Sequence, residues 1–150
     1  MFKKMNSDLP NETKSFRILV VDDEAFVRDL FDQALKTMGH EVLCVEDGCS
    51  AIERIKKDTF DVIFLDIVMP GMDGIEALKK IKEIDPDLPI IMMTGFAVEA
   101  KMNEALTLGA LDYIYKPFDV DKGREVIGKE FKKVYLRLIR TGNSETDGVR

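Results

Sequence analysis

The sequence predicts an α/β domain, (βα)5, in which a doubly wound five-stranded parallel sheet carries helices on both faces. Three observations lead there. Five short apolar runs recur along the chain, each too continuous in hydrophobicity for a half-exposed strand. Segments of helical period lie between them. The whole occupies 150 residues, the length of one ordinary domain.

The strands are expected at Arg17–Val21 (RILVV), Glu41–Val45 (EVLCV), Val62–Leu65 (VIFL), Ile90–Met93 (IIMM) and Tyr113–Tyr115 (YIY). In the first helix Val27, Leu30, Phe31, Ala34, Leu35 and Met38 mark one face, and Gly39 is placed to end it. In the third, Asp73 caps the start with Glu76 three residues on, and Ile75, Leu78 and Ile81 follow. The fourth uses Val98, Met102, Ala105 and Leu106 and stops at Gly109. The fifth starts after Asp119 and runs towards Arg140, with Val120, Ile127, Phe131, Val134, Leu138 and Ile139 apolar. The last of these are expected to run past the sheet, which suggests a dimer seam or a linker helix. Residues 1–15 read as a flexible N-terminal arm, 16–140 as the folded domain and 141–150 as a flexible C-terminal tail.

Composition narrows the function. A net charge of −6 disfavours nucleic acid or an anionic membrane as the partner of the whole domain. Lys129, Lys132, Lys133, Arg137 and Arg140 cluster on the fifth helix, where they read as a solvated basic face. No apolar run is long enough to cross a bilayer, and the polar start MFKKMNSDLPNETKSF lacks a signal-like apolar centre, so the expected location is cytoplasmic. Cys44 and Cys49 are then buried or half-buried thiols rather than a disulfide, and His40 is a loop residue rather than a ligand.

Chemistry in such sheets lies beyond the carboxyl ends of the strands. The first strand ends at Asp22-Asp23, the third at Asp66, the fourth at Thr94 and the fifth at Lys116-Pro117. Each residue alone has a plain structural use. The acidic pair and Thr94 can cap helices, Lys116 can be a surface charge, and Tyr113 can be a core aromatic. Asp66 is different, because a carboxylate inside an apolar strand is costly. Converging carboxylates repel and raise one another's pKa unless a cation intervenes, and one lysine is too little. A hard divalent ion held by carboxylates, with room for a phosphate oxygen, resolves the conflict.

Together LVVDDE, FLDIVMPGMDG, MMTGF and YIYKPF resemble the receiver domain of two-component response regulators, over roughly Arg17 to Arg140. The resemblance, which is to the chemotaxis response regulator fold, implies a flavodoxin-like strand order 2-1-3-4-5. It implies that Asp66 is the phosphoacceptor in a phosphorelay, taking a phosphoryl group from a sensor histidine kinase or histidine phosphotransfer protein to form an aspartyl phosphate. Asp22 and Asp23, with Asp66 and the backbone carbonyl of Val68, would then hold Mg²⁺ or Mn²⁺. Thr94 and Lys116 would bind phosphoryl oxygens, and Pro117 would follow a cis peptide bond. Thr94 and Tyr113 would act as the switch that reshapes the surface of the fourth helix, fifth strand and fifth helix. A downstream protein target or an attached output domain would read that surface, and a homodimer through the fourth and fifth helices stays open.

The competing reading is an aspartate-nucleophile phosphatase or phosphotransferase with repeated turnover. Enzymes resembling the haloacid dehalogenase family need a second acid two residues after the nucleophile, where this chain has Val68. No GxxxxGK[ST] loop supports nucleotide hydrolysis either. Val68 and Phe96 are apolar where receivers often carry polar side chains, which implies slow loss of the acyl phosphate.

Overall fold

In the computed structural model the structure describes residues 14–95, 99–116, 119 and 121–148. The elements run β1 (Arg17–Val21), α1 (Ala25–Thr37), β2 (Glu41–Val45), α2 (Gly48–Lys57), β3 (Val62–Asp66), α3 (Gly74–Ile84), β4 (Ile90–Thr94), α4 (Glu99–Thr107), β5 (Asp112–Tyr115) and α5 (Gly123–Gly148). All pairings are parallel, in the order β2-β1-β3-β4-β5. That is the flavodoxin-like order the resemblance implies.

Period-two alternation sorts the strand side chains into two cores. Ile18, Val20, Val62, Phe64, Ile91 and Met93 face α1 and α5, where Phe31, Ile127 and Phe131 meet them. Leu19, Val21, Ile63, Leu65, Ile90 and Met92 face the other way, against Ile55 of α2, Leu78 and Ile81 of α3 and Met102 of α4. Both faces of the inner strands are covered, which is why their sequences are apolar throughout. β2 and β5 are the edges and are only partly buried, although their sequences read as buried strands.

Local signals set the helix ends. Gly39 has φ 95°, and its amide and that of Met38 close the last turn of α1 onto Lys36 and Leu35. Asp73 accepts from Glu76 N at 2.9 Å, as its spacing predicts. Asp47 caps α2 in the same way, accepting from Ser50 N at 2.8 Å, a bond that holds its carboxyl below the ordinary range. Asp47→Ala removes that acceptor and is expected to cost about 1 kcal/mol, read as a lower urea midpoint with an unchanged slope.

Several expectations need correction. Met38 and Leu106 are exposed, and Met38 is already the cap residue beyond the last turn of α1. Leu138 and Ile139 do not run past the sheet: both are partly buried and pack against the α1/α5-side core. α5 lies along α1, so its apolar stripe stays covered further than the length of the strands suggests, and Tyr135 is buried with it. The exposed apolar residues of α5 are Val126 and Leu136. Helical backbone continues from Arg140 through Gly148.

His40 follows its turn but is buried. It stands within ring contact of Phe16, Phe131 and Tyr135, and its Nδ1 accepts from Phe16 N at 3.0 Å. Burial pushes its pKa down, with Asp61 opposing, so the neutral imidazole that this bond needs is favoured. Both cysteines are free thiols. Cys44 is half-buried, its thiol pushed up to about 11 chiefly by burial, whereas Cys49 is exposed, contrary to expectation. The N-terminal arm up to residue 13, Phe96, Val98, Pro117, Val120 and residues 149–150 lie outside the described residues.

Candidate functional site

The carboxyl edge of the sheet gathers the predicted side chains. β1 and β3 are neighbours in the centre, so the residues that leave their ends, Asp22 and Asp66, come out side by side. β4 lies next to β3 and ends at Thr94, and β5 follows with Lys116 just past its last residue. Asp22, Asp66 and Thr94 are buried at 0%, 2% and 0% exposure, where ordinary surface carboxylates and hydroxyls are not found. Asp23, next to Asp22, points to solvent.

Lys116 ties the site together. Its Nζ donates to Asp22 Oδ2 at 2.8 Å and Asp66 Oδ2 at 3.2 Å. A third carboxylate, Glu24 Oε1, lies 2.9 Å away. The Lys116 amide also donates to the Thr94 carbonyl at 2.6 Å, which joins the ends of β4 and β5. The remaining oxygens of the two buried acids meet backbone amides: Asp22 Oδ1 accepts from Glu24 N at 2.8 Å, and Asp66 Oδ1 from Val68 N at 3.3 Å. Val68 itself turns outward, 65% exposed, at the mouth of the site.

The electrostatics follow from this packing. Burial, then the charge of Asp22, pushes Asp66 up to about 6, against the pull of Lys116. Burial likewise raises Asp22, with the Lys116 hydrogen bond opposing it. Burial alone would lower Lys116, but the carboxylates of Asp22, Glu24 and Asp66 more than offset it and raise its pKa. The ammonium is therefore charged throughout the neutral range, while the acids retain an excess of negative charge.

That excess fits a cation. Carboxylate oxygens of Asp22, Asp23 and Asp66 lie within 4.8 Å of one another. An all-oxygen donor set open to solvent on one side suits a hard divalent ion that keeps several waters, as Mg²⁺ does. The donor chemistry thus agrees with the cofactor read from the sequence.

The loop after β3 is pinned so that Asp66 stays in place. Gly74 N donates to the Ile67 carbonyl at 2.7 Å, drawing the first turn of α3 against the strand end. A Cβ at Gly74 would come within 2.6 Å of Ile67 Cα and closer still to the Asp66 carbonyl oxygen. Tyr113, on β5, is half-buried against the α2/α3/α4-side core and stacks edge-on with Tyr115 at 5.6 Å.

Of the predicted residues, Asp22, Asp66 and Lys116 are in direct contact or share a partner, and Asp23 adjoins them. Thr94 is joined to Lys116 through the backbone, and Tyr113 stands further along β5. Sequence reasoning missed Glu24. The one available signal was a third acid after the pair in VDDE, and nothing in the spacing shows that its side chain turns inward to Lys116.

A family profile described as Response regulator receiver domain matches residues 18–128. The chain is 43% identical over 114 residues to chemotaxis protein CheY of Bacillus subtilis, covering 75% of this chain and 95% of that protein. It is 41% identical over 105 residues to transcriptional regulatory protein ZraR of Klebsiella oxytoca, covering 70% of this chain and only 24% of that one. Among solved structures, the response regulator domain of Thermotoga maritima CheB superposes with a TM-score of 0.74 at 34% identity, covering 83% of this chain and 97% of that chain.

Proposed function

Because this chain belongs to the response regulator receiver domain family, we propose that it is a Mg²⁺-dependent phosphoacceptor switch with Asp66 as the acceptor. The family implies a histidine kinase as partner, and here the donor is a phosphohistidine on such a kinase or on a phosphotransfer protein. The observation that carries the reading is the carboxylate of Asp66, buried at a strand end between an ammonium and two further acids.

In the transfer, an Asp66 oxygen bonds to phosphorus as the bond from phosphorus to the donor imidazole nitrogen breaks. The nitrogen keeps the electron pair and is reprotonated from solvent. Asp66 thereby loses its own charge and with it much of its hold on Lys116, whose ammonium pairs with a phosphoryl oxygen. The Thr94 hydroxyl donates to another oxygen, and Asp22, Asp23, Asp66 and the Val68 carbonyl would hold the metal. When bound, Mg²⁺ or Mn²⁺ supplies positive charge between the acids and the phosphoryl oxygens.

The new dianionic group biases a two-state element, here Thr94 and Tyr113. Leu106 of α4, Tyr115 of β5 and Val126 of α5 are exposed apolar side chains on the elements that would move. A downstream target, an attached output domain or a second copy of the chain docks there. Among the described residues no helix is long and apolar enough to cross a membrane, and we place the protein in the cytoplasm, where its donor would meet it. It acts as a switch that catalyses only its own phosphorylation and slow dephosphorylation.

Intact-mass measurement with acetyl phosphate tests the proposal. With excess Mg²⁺ the protein is expected to gain one phosphoryl group, located by borohydride reduction of the acyl phosphate at Asp66 to homoserine with release of phosphate, and with chelator to gain none. At limiting metal the rate is expected to fall as pH drops through about 6, because a proton on the metal-free Asp66 carboxylate competes with the cation for it. Continuous release of phosphate without accumulation of the modified protein would instead favour a phosphatase.

A further inference from the structure

Glu24 is the N-cap residue of α1, yet its side chain accepts no capping hydrogen bond from that helix. Helix caps favour short side chains that turn back onto the amides two or three residues on. Here the longer carboxylate reaches across the site to Lys116 Nζ at 2.9 Å. Its backbone cannot follow, because Glu24 N is held by Asp22 Oδ1 and Glu24 O accepts from Val27 N and Arg28 N.

An ammonium has three hydrogens and no more. Lys116 meets three carboxylates, Asp22 at 2.8 Å, Glu24 at 2.9 Å and Asp66 at 3.2 Å. Two of its hydrogens thus bond Asp22 and Asp66, and Glu24 pairs with the same ammonium before any phosphoryl group arrives, so an incoming oxygen competes with all three. Asp22 is a poor candidate to let go, being fully buried with its other oxygen on a backbone amide. Asp66 is the acceptor itself, and its bond loosens only as transfer proceeds. The Glu24 side chain is 58% exposed and returns to water when released.

We propose that Glu24 is a resting-state clamp on Lys116, a positioning residue that must release the ammonium before it can engage the incoming phosphoryl group. This rests on the phosphoacceptor reading above and adds a gate to the same site. The clamp slows phosphorylation by small donors and holds the lysine in register until the donor competes for it.

Two variants separate the clamp from a general charge effect. Glu24→Gln removes the charge. Glu24→Asp keeps it but shortens the reach by one carbon–carbon bond, roughly 1.5 Å, and favours turning back to cap α1. At saturating Mg²⁺ both variants are expected to raise the second-order rate constant with acetyl phosphate about two- to fivefold, the range for releasing one partly exposed ion pair. In the same proteins, without metal or donor, the Lys116 ammonium hydrogens are expected to exchange faster with solvent, as seen by ¹⁵N-edited NMR of the lysine side chain.

An Asp variant that matches the parent while Gln is faster would mean a charge effect alone and overturn the clamp. Unchanged ammonium exchange in both variants would overturn it as well. If the parent takes up no phosphate at all, the phosphoacceptor reading fails by itself, and the exchange comparison alone then decides whether Glu24 holds Lys116.

Discussion

Asp66→Asn is expected to abolish uptake of phosphate completely while making the metal-free protein more stable at neutral pH. The loss is chemical. A carboxamide has nearly the same shape but no anionic oxygen to attack phosphorus, so neither acetyl phosphate nor a phosphohistidine donor adds mass. The gain is electrostatic: raising a buried carboxyl from its ordinary 3.8 to about 6 corresponds to about 3 kcal/mol of unfavourable ionisation at neutral pH. Asparagine removes that charge, and Lys116 keeps Asp22 and Glu24 as partners. The sign follows from proton uptake. The folded parent holds the Asp66 proton more tightly than the unfolded chain, so this contribution to stability is fully present below about pH 4 and is lost as pH rises through about 6. Urea denaturation in chelator should therefore show parent and variant close together near pH 4, and the variant ahead by up to about 3 kcal/mol at pH 7. A variant that still gains a phosphoryl group would remove Asp66 from the acceptor role.

Gly74→Ala should be the most damaging change of a single methyl group. In an ordinary helix position alanine would be worth about 1 kcal/mol over glycine. Here the added carbon would press on Ile67 Cα and the Asp66 carbonyl, both backbone, and no flexible side chain can yield. Relief requires moving α3 away from the end of β3, which stretches the 2.7 Å bond from Gly74 N to Ile67 O. A net loss of about 2–4 kcal/mol is expected from overpacking at a rigid site. The same movement displaces Asp66, so phosphorylation at saturating Mg²⁺ should slow even in the fraction that remains folded. Chemical denaturation and the mass assay read the two effects separately. A higher melting temperature for the alanine variant would show that the close approach is not maintained in solution.

Much of this architecture was readable from residue patterns, for identifiable reasons. The inner strands announce themselves because covering both faces forces apolar residues at every position, as in VIFL and IIMM. Asp66 stands out because it violates that rule. The edge character of β2 was hidden, since EVLCV reads like its neighbours and edge status depends on which strands pair at long range. The burial of His40 was hidden for a similar reason. Its place after a turn glycine marks a loop residue, as it is, but its environment is made by Phe16, Phe131 and Tyr135, residues far apart in the chain. Leu138 and Ile139 were placed beyond the fold by comparing helix length with strand length, which ignores the cover that α1 provides. Glu24 escaped notice because contact with Lys116 is set by a side-chain direction, and the spacing of VDDE carries no such information.

The short backbone bond between the Lys116 amide and the Thr94 carbonyl has a consequence for how a phosphoryl charge is felt. The cationic and the hydroxyl-bearing arms of the site are stapled at their roots, so they form one jaw rather than two independent fingers. Whatever pulls on one tugs the other, and through it the end of the outermost strand. Damage to either arm should therefore blunt its companion, with paired substitutions harming little more than single ones.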